Sequence, residues 1–408
     1  MQEPNHHINL DIALVGGGPS SLFAATLLLE AGFNVGIFEY KSALAKKLNI
    51  AAKSGLNLSN DKEGKTFIGM YGKDSNWIDS HLTNFNNVDL RSFFNEKFGL
   101  ETYVGSSGKV FPKADLTGAR FIKIWIDQLK KIGLVVYTHH QFIGWDSSNN
   151  LRILDKSDTE LTIGYKKAML ALGGMSWPMT GSDGNWTTVF ESKGIKLNPW
   201  QSSNCGIHIK ADAAFFEKWN GHFLKNVGLK FKEKKVVGEI RISRYGLEGK
   251  PVYHLVPEIR DVLSLHSNCQ LSLDFKTNSS SEELMKKLSG IKENSLQKIL
   301  KKLAVHPSFS MLLKIYKLKY SNSEELVGLI KSFPIEVEEL GDIANAISVV
   351  GGVCKEELDK NLMLKRLPNN YLAGEMIDWD APTGGYLLQA CFSMAKTVTD
   401  SMIEDLKF

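Results

Sequence analysis

Residues Ile12-Ala13-Leu14-Val15-Gly16-Gly17-Gly18-Pro19-Ser20-Ser21 decide how this chain folds. A short apolar run ending in glycines describes a strand buried on both faces that breaks into a tight turn. Leu22 to Ala31 is rich in Ala and Leu, contains no Pro and stops near Gly32, which predicts a helix. Val35 to Phe38 is a second apolar run, and it ends at Glu39. Strand, glycine turn, helix and second strand open a doubly wound α/β sheet. In that setting Gly16 permits the turn, and Gly18 lets the backbone approach a pyrophosphate with no side chain between. The first amides of the helix, after Pro19 and around Ser20, then face the negative charge. Ser21 replaces the third glycine of the fingerprint and is small enough for close helix–strand packing. Glu39 is placed to accept hydrogen bonds from a ribose. The segment predicts a dinucleotide site, with NAD and FAD both open.

Outward from this unit, Leu134 to Tyr137, Phe142 to Trp145 and Lys167 to Leu172 read as further strands, with a helix from Gly118 to Ile132. Ser147 to Asp158 is polar and turn-rich, which suggests a hairpin in a small antiparallel appendage. From about Pro199 the character changes. His208 to Lys210, Leu229 to Lys232, Val236 to Ile242 and Leu271 to Phe275 read as strands, and Ser280 to Ile330 is Lys-rich and helical. Ser280 with Glu283 fits a capping box, and Asn322 with Glu325 fits a second helix start. Leu296, Ile299, Leu300 and Leu303 share one helical face, expected to cover the core of this region. Asn370 to Leu372 is again a short strand, and Gly384-Gly385 precedes a helix from Tyr386 to about Glu404. This order describes a sheet domain interrupted by an insertion and completed by the C-terminus.

At about 100–200 residues per domain, 408 residues allow two or three domains. A net charge of +4 is too mild to require an acidic partner, and nucleic acid is not expected from composition alone. Cys205, Cys269, Cys354 and Cys391 are scattered, so no CxxC redox or zinc motif exists and no metal site is expected. The N-terminus lacks the apolar core of a secretory signal, and no apolar run reaches about 18 residues. A cytoplasmic enzyme without a transmembrane segment is the expectation.

Several blocks carry a resemblance. Leu14 to Tyr40 resembles the N-terminus of glutathione-reductase-type flavoproteins, and Tyr371-Leu372-Ala373-Gly374-Glu375 resembles their second flavin motif. Lys46-Lys47-Leu48 through Ser54-Gly55-Leu56-Asn57-Leu58-Ser59 is similar to a block written RKxLxSGxGRCNxTN. Gly108 to Pro112, Leu172 to Pro178 with Thr180 to Gly184, and Pro382 to Tyr386 also match. In order and across nearly the whole chain, these blocks resemble the BaiN/YhiN-like bacterial flavoproteins, including their aminoacetone-oxidase-family branch. The Arg-Cys pair of the commonest block is replaced by Leu56 preceded by Gly55, so the likeness is to a side branch, and a main-branch substrate is not transferred. The wider group usually has Asp where this chain has Glu375.

The resemblance implies a Rossmann-like FAD-binding α/β domain built from both chain ends, 1–197 and 339–408, with an inserted β-barrel-like plus helical domain at 198–338. It implies that Gly16, Gly18 and Ser20 meet the pyrophosphate, Glu39 the adenosine ribose, and Lys47 a neighbouring phosphate or ribose, with Pro19 and Tyr40 also among the cofactor-binding residues. Phe142 would reach the adenine through its backbone. Ser54, Gly55, Asn57, Ala171, Gly173, Gly374, Glu375, Gly384, Gly385 and Tyr386 would complete the FAD site. Trp177 and Trp379 are candidates to line it, whereas His208 and His254 receive no role. With no second GxGxxG unit, a separate NAD(P)H domain is not expected. The expected activity is hydride transfer between FAD and a small organic substrate. Either the substrate reduces the flavin and oxygen reoxidises it, or NAD(P)H binds transiently as donor. The alternative is an FAD-containing binding or sensor protein that contacts RNA or a membrane through its lysines.

Overall fold

The structure is a computed structural model that describes residues 7–113, 115–293 and 295–407, with Ser54 described in its backbone only. The chain divides into two units, one of residues 1–201 and 348–408, the other Ser202–Ile347. The second unit thus runs past 338, because the strand Phe333–Leu340 belongs wholly to its barrel.

The first unit is built on a seven-stranded sheet. Strand β1 (His7–Val15) lies at its centre, parallel both to β2 (Val35–Glu39) and to the strand Glu160–Leu170. Helix α1 (Pro19–Glu30) joins β1 to β2. Val135–Thr138 extends the sheet beyond β2. The long strand Glu160–Leu170 starts earlier than its apolar half suggests. Its first residues, Glu160 to Ile163, pair antiparallel with Leu151–Leu154, and its buried end pairs parallel with Asn370–Leu372. The C-terminus is thereby hydrogen-bonded into the sheet that the N-terminus begins.

The polar segment expected as one hairpin holds a strand, Leu151–Leu154, between two turns. Asp146 Oδ1 accepts the amides of Ser148 and Asn150, and Asp155 Oδ1 those of Ser157 and Thr159. These carboxylate-closed turns explain the polar composition on either side of the strand.

Helix α1 packs against the C-terminal helix Tyr386–Lys407. Phe23, Phe94, Trp125 and Phe392 are fully or almost fully buried here, and Trp125 Nε1 donates to Thr26 Oγ1 at 3.1 Å. His81 is also enclosed, with Nδ1 3.0 Å from Thr397 Oγ1.

The second unit contains a closed six-stranded antiparallel barrel. Its strands run in the order Ile207–Ile209, Gly246–Glu248, Lys234–Ile242, Phe223–Phe231, Cys269–Asp274 and Phe333–Leu340. Alternation along Phe333–Leu340 turns Phe333, Ile335 and Val337 into the core. The helix Ser281–Ser289 has the expected capping box between Ser280 and Glu283, and Ser323–Lys331 is capped by Asn322. Leu300 and Leu303 are buried, while Leu296 and Ile299 pack partly against the same core.

Burial pushes the His81 imidazole down from 6.5 to about 4. An unfolded chain takes up a proton near 6.5 that the folded unit refuses until about 4. This contribution to stability is fully present above 6.5 and is lost as pH falls through that window. Linkage puts the loss at roughly 3 kcal/mol. Unfolding measured by urea titration across the window should show this slope, and His81→Gln should flatten it.

Candidate functional site

The fingerprint turn sits where β1, β2 and Glu160–Leu170 end side by side. Gly16 has φ +94°, and a Cβ there would lie 2.4 Å from the Ala171 carbonyl oxygen, so only glycine fits. Gly18 differs. Its backbone is extended, and a Cβ would meet nothing within 4 Å. Gly18 is also the N-cap of α1 and supplies no side-chain cap. The first-turn amides are thus left for a ligand, at the end of the helix whose dipole favours an anion.

Glu39 is tied to this turn. Its Oε2 accepts the Gly17 amide at 2.7 Å, and its Oε1 accepts the Lys41 amide at 2.7 Å. Burial raises its pKa, opposed by these two hydrogen bonds. Both oxygens keep a further lone pair for a ribose hydroxyl. The Gly17 and Lys41 amides escaped the sequence reading, since their partner is a side chain 22 positions from one and two from the other.

Lys47 and Glu375, 328 positions apart, meet at 2.6 Å. Lys47 also donates to Ser176 Oγ at 2.8 Å, and Glu375 Oε1 accepts the Val349 amide at 3.3 Å. Gly374 lies against Ser20, whose hydroxyl donates to the Cys391 carbonyl at 3.3 Å. The two motifs from opposite chain ends are therefore one site. Ser176 lies in one of the blocks that carried the resemblance, so its segment, though not its partner, was visible in sequence.

The loop before the C-terminal helix closes another side. A Cβ on Gly385 would sit 2.3 Å from the Ser59 carbonyl oxygen, and Asn60 Nδ2 donates to the Gly384 carbonyl at 3.3 Å. Tyr71 Oη donates to the Tyr386 carbonyl at 2.7 Å. Burial first, and Asp61 second, push the Tyr386 phenol up to about 12. Asn57 Oδ1 is buried without a hydrogen-bond partner. A buried acceptor of this kind is costly unless an occupant satisfies it. Open space before Gly18, uncapped amides and this orphaned acceptor together fit a bound dinucleotide.

The remaining expected residues take varied places. Ala171 forms the wall against Gly16, and the Gly173 carbonyl accepts Trp186 Nε1 at 3.1 Å. Gly55 has φ +107°. Ser54 lies outside the described side chains. Tyr40 turns an exposed ring outward under the Lys41 ammonium, 4.4 Å from the ring centroid. The Phe142 ring is buried against Trp145, which leaves its backbone for any contact. Leu56, which with Gly55 stands where the family block has Arg-Cys, is buried in the core. Trp379 is packed and donates to the Gly374 carbonyl at 2.9 Å, so it braces the loop. His208 is 3.7 Å from Glu339 in the second unit. Among the described residues, no group of three His, Cys, Asp or Glu could hold a metal, and no helix is long and apolar enough to cross a membrane.

Residues 10–401 match the family described as HI0933-like protein Rossmann domain. A 3-dehydro-bile acid delta(4,6)-reductase of Clostridium scindens is 22% identical over 93% of this chain and 95% of its own. A ribosomal RNA dihydrouridine synthase of Escherichia coli is 20% identical over 96% and 98%. Among solved structures, a 3-ketosteroid delta1-dehydrogenase from Sterolibacterium denitrificans superposes with a TM-score of 0.54 at 10% identity, covering 97% of this chain and 100% of that one. At that identity the likeness is one of fold.

Two substitutions separate fold from binding at the turn. Gly16→Ala should destabilise the apoprotein by roughly 1–3 kcal/mol through backbone overlap and strain. Gly18→Val should leave the melting temperature nearly unchanged yet weaken FAD binding about 10- to 100-fold, as expected when charge-assisted hydrogen bonds are blocked. Thermal melts and flavin fluorescence titration read the two effects. Lys47→Met strands the Glu375 carboxylate and should cost on the order of 1–3 kcal/mol in urea unfolding. Adding Glu375→Gln should recover part of it.

Proposed function

The chain belongs to the HI0933-like Rossmann-domain family, which includes FAD-dependent oxidoreductases, and from that premise we propose that it is a flavin-dependent reductase. Its substrate would be a small organic molecule with a carbon–carbon double bond conjugated to a carbonyl, and its donor a transiently bound NAD(P)H. The observation that carries the flavin part is the convergence of the Gly16–Ser21 turn with Gly374–Glu375 through the Lys47–Glu375 contact of 2.6 Å. The reductive direction is supported by the names of the two full-length relatives, one a delta(4,6)-reductase and the other a dihydrouridine synthase. Both names describe hydrogen added across a double bond.

FAD, when bound, supplies hydride-transfer chemistry. The chain's own residues would hold and tune it. The Gly18 and Ser20 backbone would bind the pyrophosphate, and Glu39 would accept a hydroxyl of the adenosine ribose. Lys47, held by Glu375 and Ser176, would place a positive charge beside the phosphate or ribityl region. The amides at the start of the helix beginning at Tyr386, with the positive end of its dipole, would stabilise negative charge on a flavin held there. Asn60 and Tyr71 grip the Gly384 and Tyr386 carbonyls, so those amides are oriented before any ligand arrives. The absence of a second dinucleotide fingerprint in the sequence favours a donor that binds and leaves.

The test is anaerobic spectroscopy of the FAD-loaded protein. NADH or NADPH should bleach the flavin band, and a conjugated enone, drawn from a panel that includes a 3-oxo-Δ4 steroid and uridine, should restore it. Bleaching by an amine with reoxidation by oxygen alone would instead establish an oxidase and sink the reductase reading. Failure to take up FAD at all would remove the premise.

A further inference from the structure

The second unit carries its charge unevenly. Ser281–Tyr320 holds nine lysines against three glutamates, a net +6 in a chain whose total is +4, so all other residues together carry −2. The helices Leu296–Lys302 and Ser308–Ile315 bury Leu300, Leu312 and Leu313 and leave Lys298, Lys301, Lys302 and Lys314 exposed. Glu293 answers part of this charge, 3.2 Å from Lys298 and 3.5 Å from Lys302. Lys314, Lys317 and Lys319 have no carboxylate within ion-pair distance among the described residues.

Those three lysines line an open groove of about 760 Å³. Half-buried Tyr320 and the side chains of Leu313 and Leu318 supply its apolar surface, and none of the described residues lining it is acidic. A helix that lay on a membrane would present large apolar side chains outward beside its lysines. The chain does expose large hydrophobics, from Tyr40 to Ile347, but none falls between 281 and 320. What remains is a concave surface with unanswered ammonium groups and one aromatic ring. Single-stranded nucleic acid fits that chemistry, with phosphates on the lysines and a base against the ring.

We propose that the groove formed by Lys314, Lys317, Lys319 and Tyr320 binds single-stranded nucleic acid. This binding belongs to the second unit and stands apart from the flavin reading. The full chain is titrated at low salt into a short labelled single-stranded RNA and the matching DNA, with fluorescence anisotropy as readout. Cosedimentation with phosphatidylserine-containing vesicles runs in parallel. Log K should fall against log salt with a slope of roughly −2, from about 0.7 per phosphate contact. The triple variant Lys314→Ala, Lys317→Ala, Lys319→Ala should bind about tenfold weaker or worse at low salt, with a flatter slope and an unchanged melting temperature. Tyr320→Ala should weaken binding about tenfold. Equal binding of RNA and DNA assigns recognition to phosphate and base face, and tighter RNA binding adds a 2′-hydroxyl contact; either supports the proposal. No binding at low salt, a triple variant that binds like the parent, or vesicles held more tightly than either strand would overturn it. Gly18→Val should bind the strands as the parent does, so failure of the groove and failure of the flavin site are separately visible.

Discussion

Everything at the flavin-type site hangs on the close approach of three strand ends at Gly16. The Gly16 amide donates to the Phe38 carbonyl at 2.8 Å, and the Ala171 amide donates to the Val15 carbonyl at 2.8 Å. A single methyl group at Gly16 would collide with the backbone of Ala171. The turn is therefore pinned on both sides by main-chain hydrogen bonds before any side chain contributes. From that point α1 departs with its first amides uncapped. The uncapped helix end follows from the topology, because the strand order forces the turn and the turn forces the first amides of α1 into the crevice.

The return of the C-terminus uses the same sheet. Asn370–Leu372 finds its place because the buried half of Glu160–Leu170 has one edge free of β1, and parallel pairing fills it. That pairing delivers Gly374 to Ser20 and Glu375 to Lys47. Glu375 is nine-tenths buried, so its charge is tolerable only with the ammonium of Lys47 and the Val349 amide against it. The contact between Gly385 and the Ser59 carbonyl then fixes the loop that starts the last helix. Electrostatics and backbone geometry thus pull in one direction, which is what consistency across levels requires of a foldable sequence.

Legibility in the sequence followed the range of the forces involved. The opening strand, turn and helix were readable because local propensity and periodicity specify them. The caps at Ser280 and Asn322 were readable because their partners lie three residues away. Leu151–Leu154 was hidden inside polar turns, and Phe333–Leu340 carries four glutamate or proline positions among its eight residues, which mute its alternation. The barrel itself came into the reading only through resemblance, since closure depends on pairing Ile207–Ile209 with strands far along the chain. Tyr40 and Phe142 were named from the same resemblance; the structure turns one ring to solvent and packs the other inside.

By itself, the sequence determined the strand, glycine turn and helix at the start of the chain, the acidic residue at the end of β2, and the membership of both chain ends in one α/β domain. These rest on residue types that have few substitutes: a glycine at positive φ, small residues at a helix start, a carboxylate at a strand end. Tertiary structure decided which charges meet. Nothing in the spacing of Lys47 and Glu375 says that they touch, nor that Glu39 spends hydrogen bonds on its own turn, nor that three lysines near Tyr320 edge a groove while others face glutamate. Ion pairs and concave surfaces depend on distances through space, and chain separation carries no information about those until the sheet and barrel have closed.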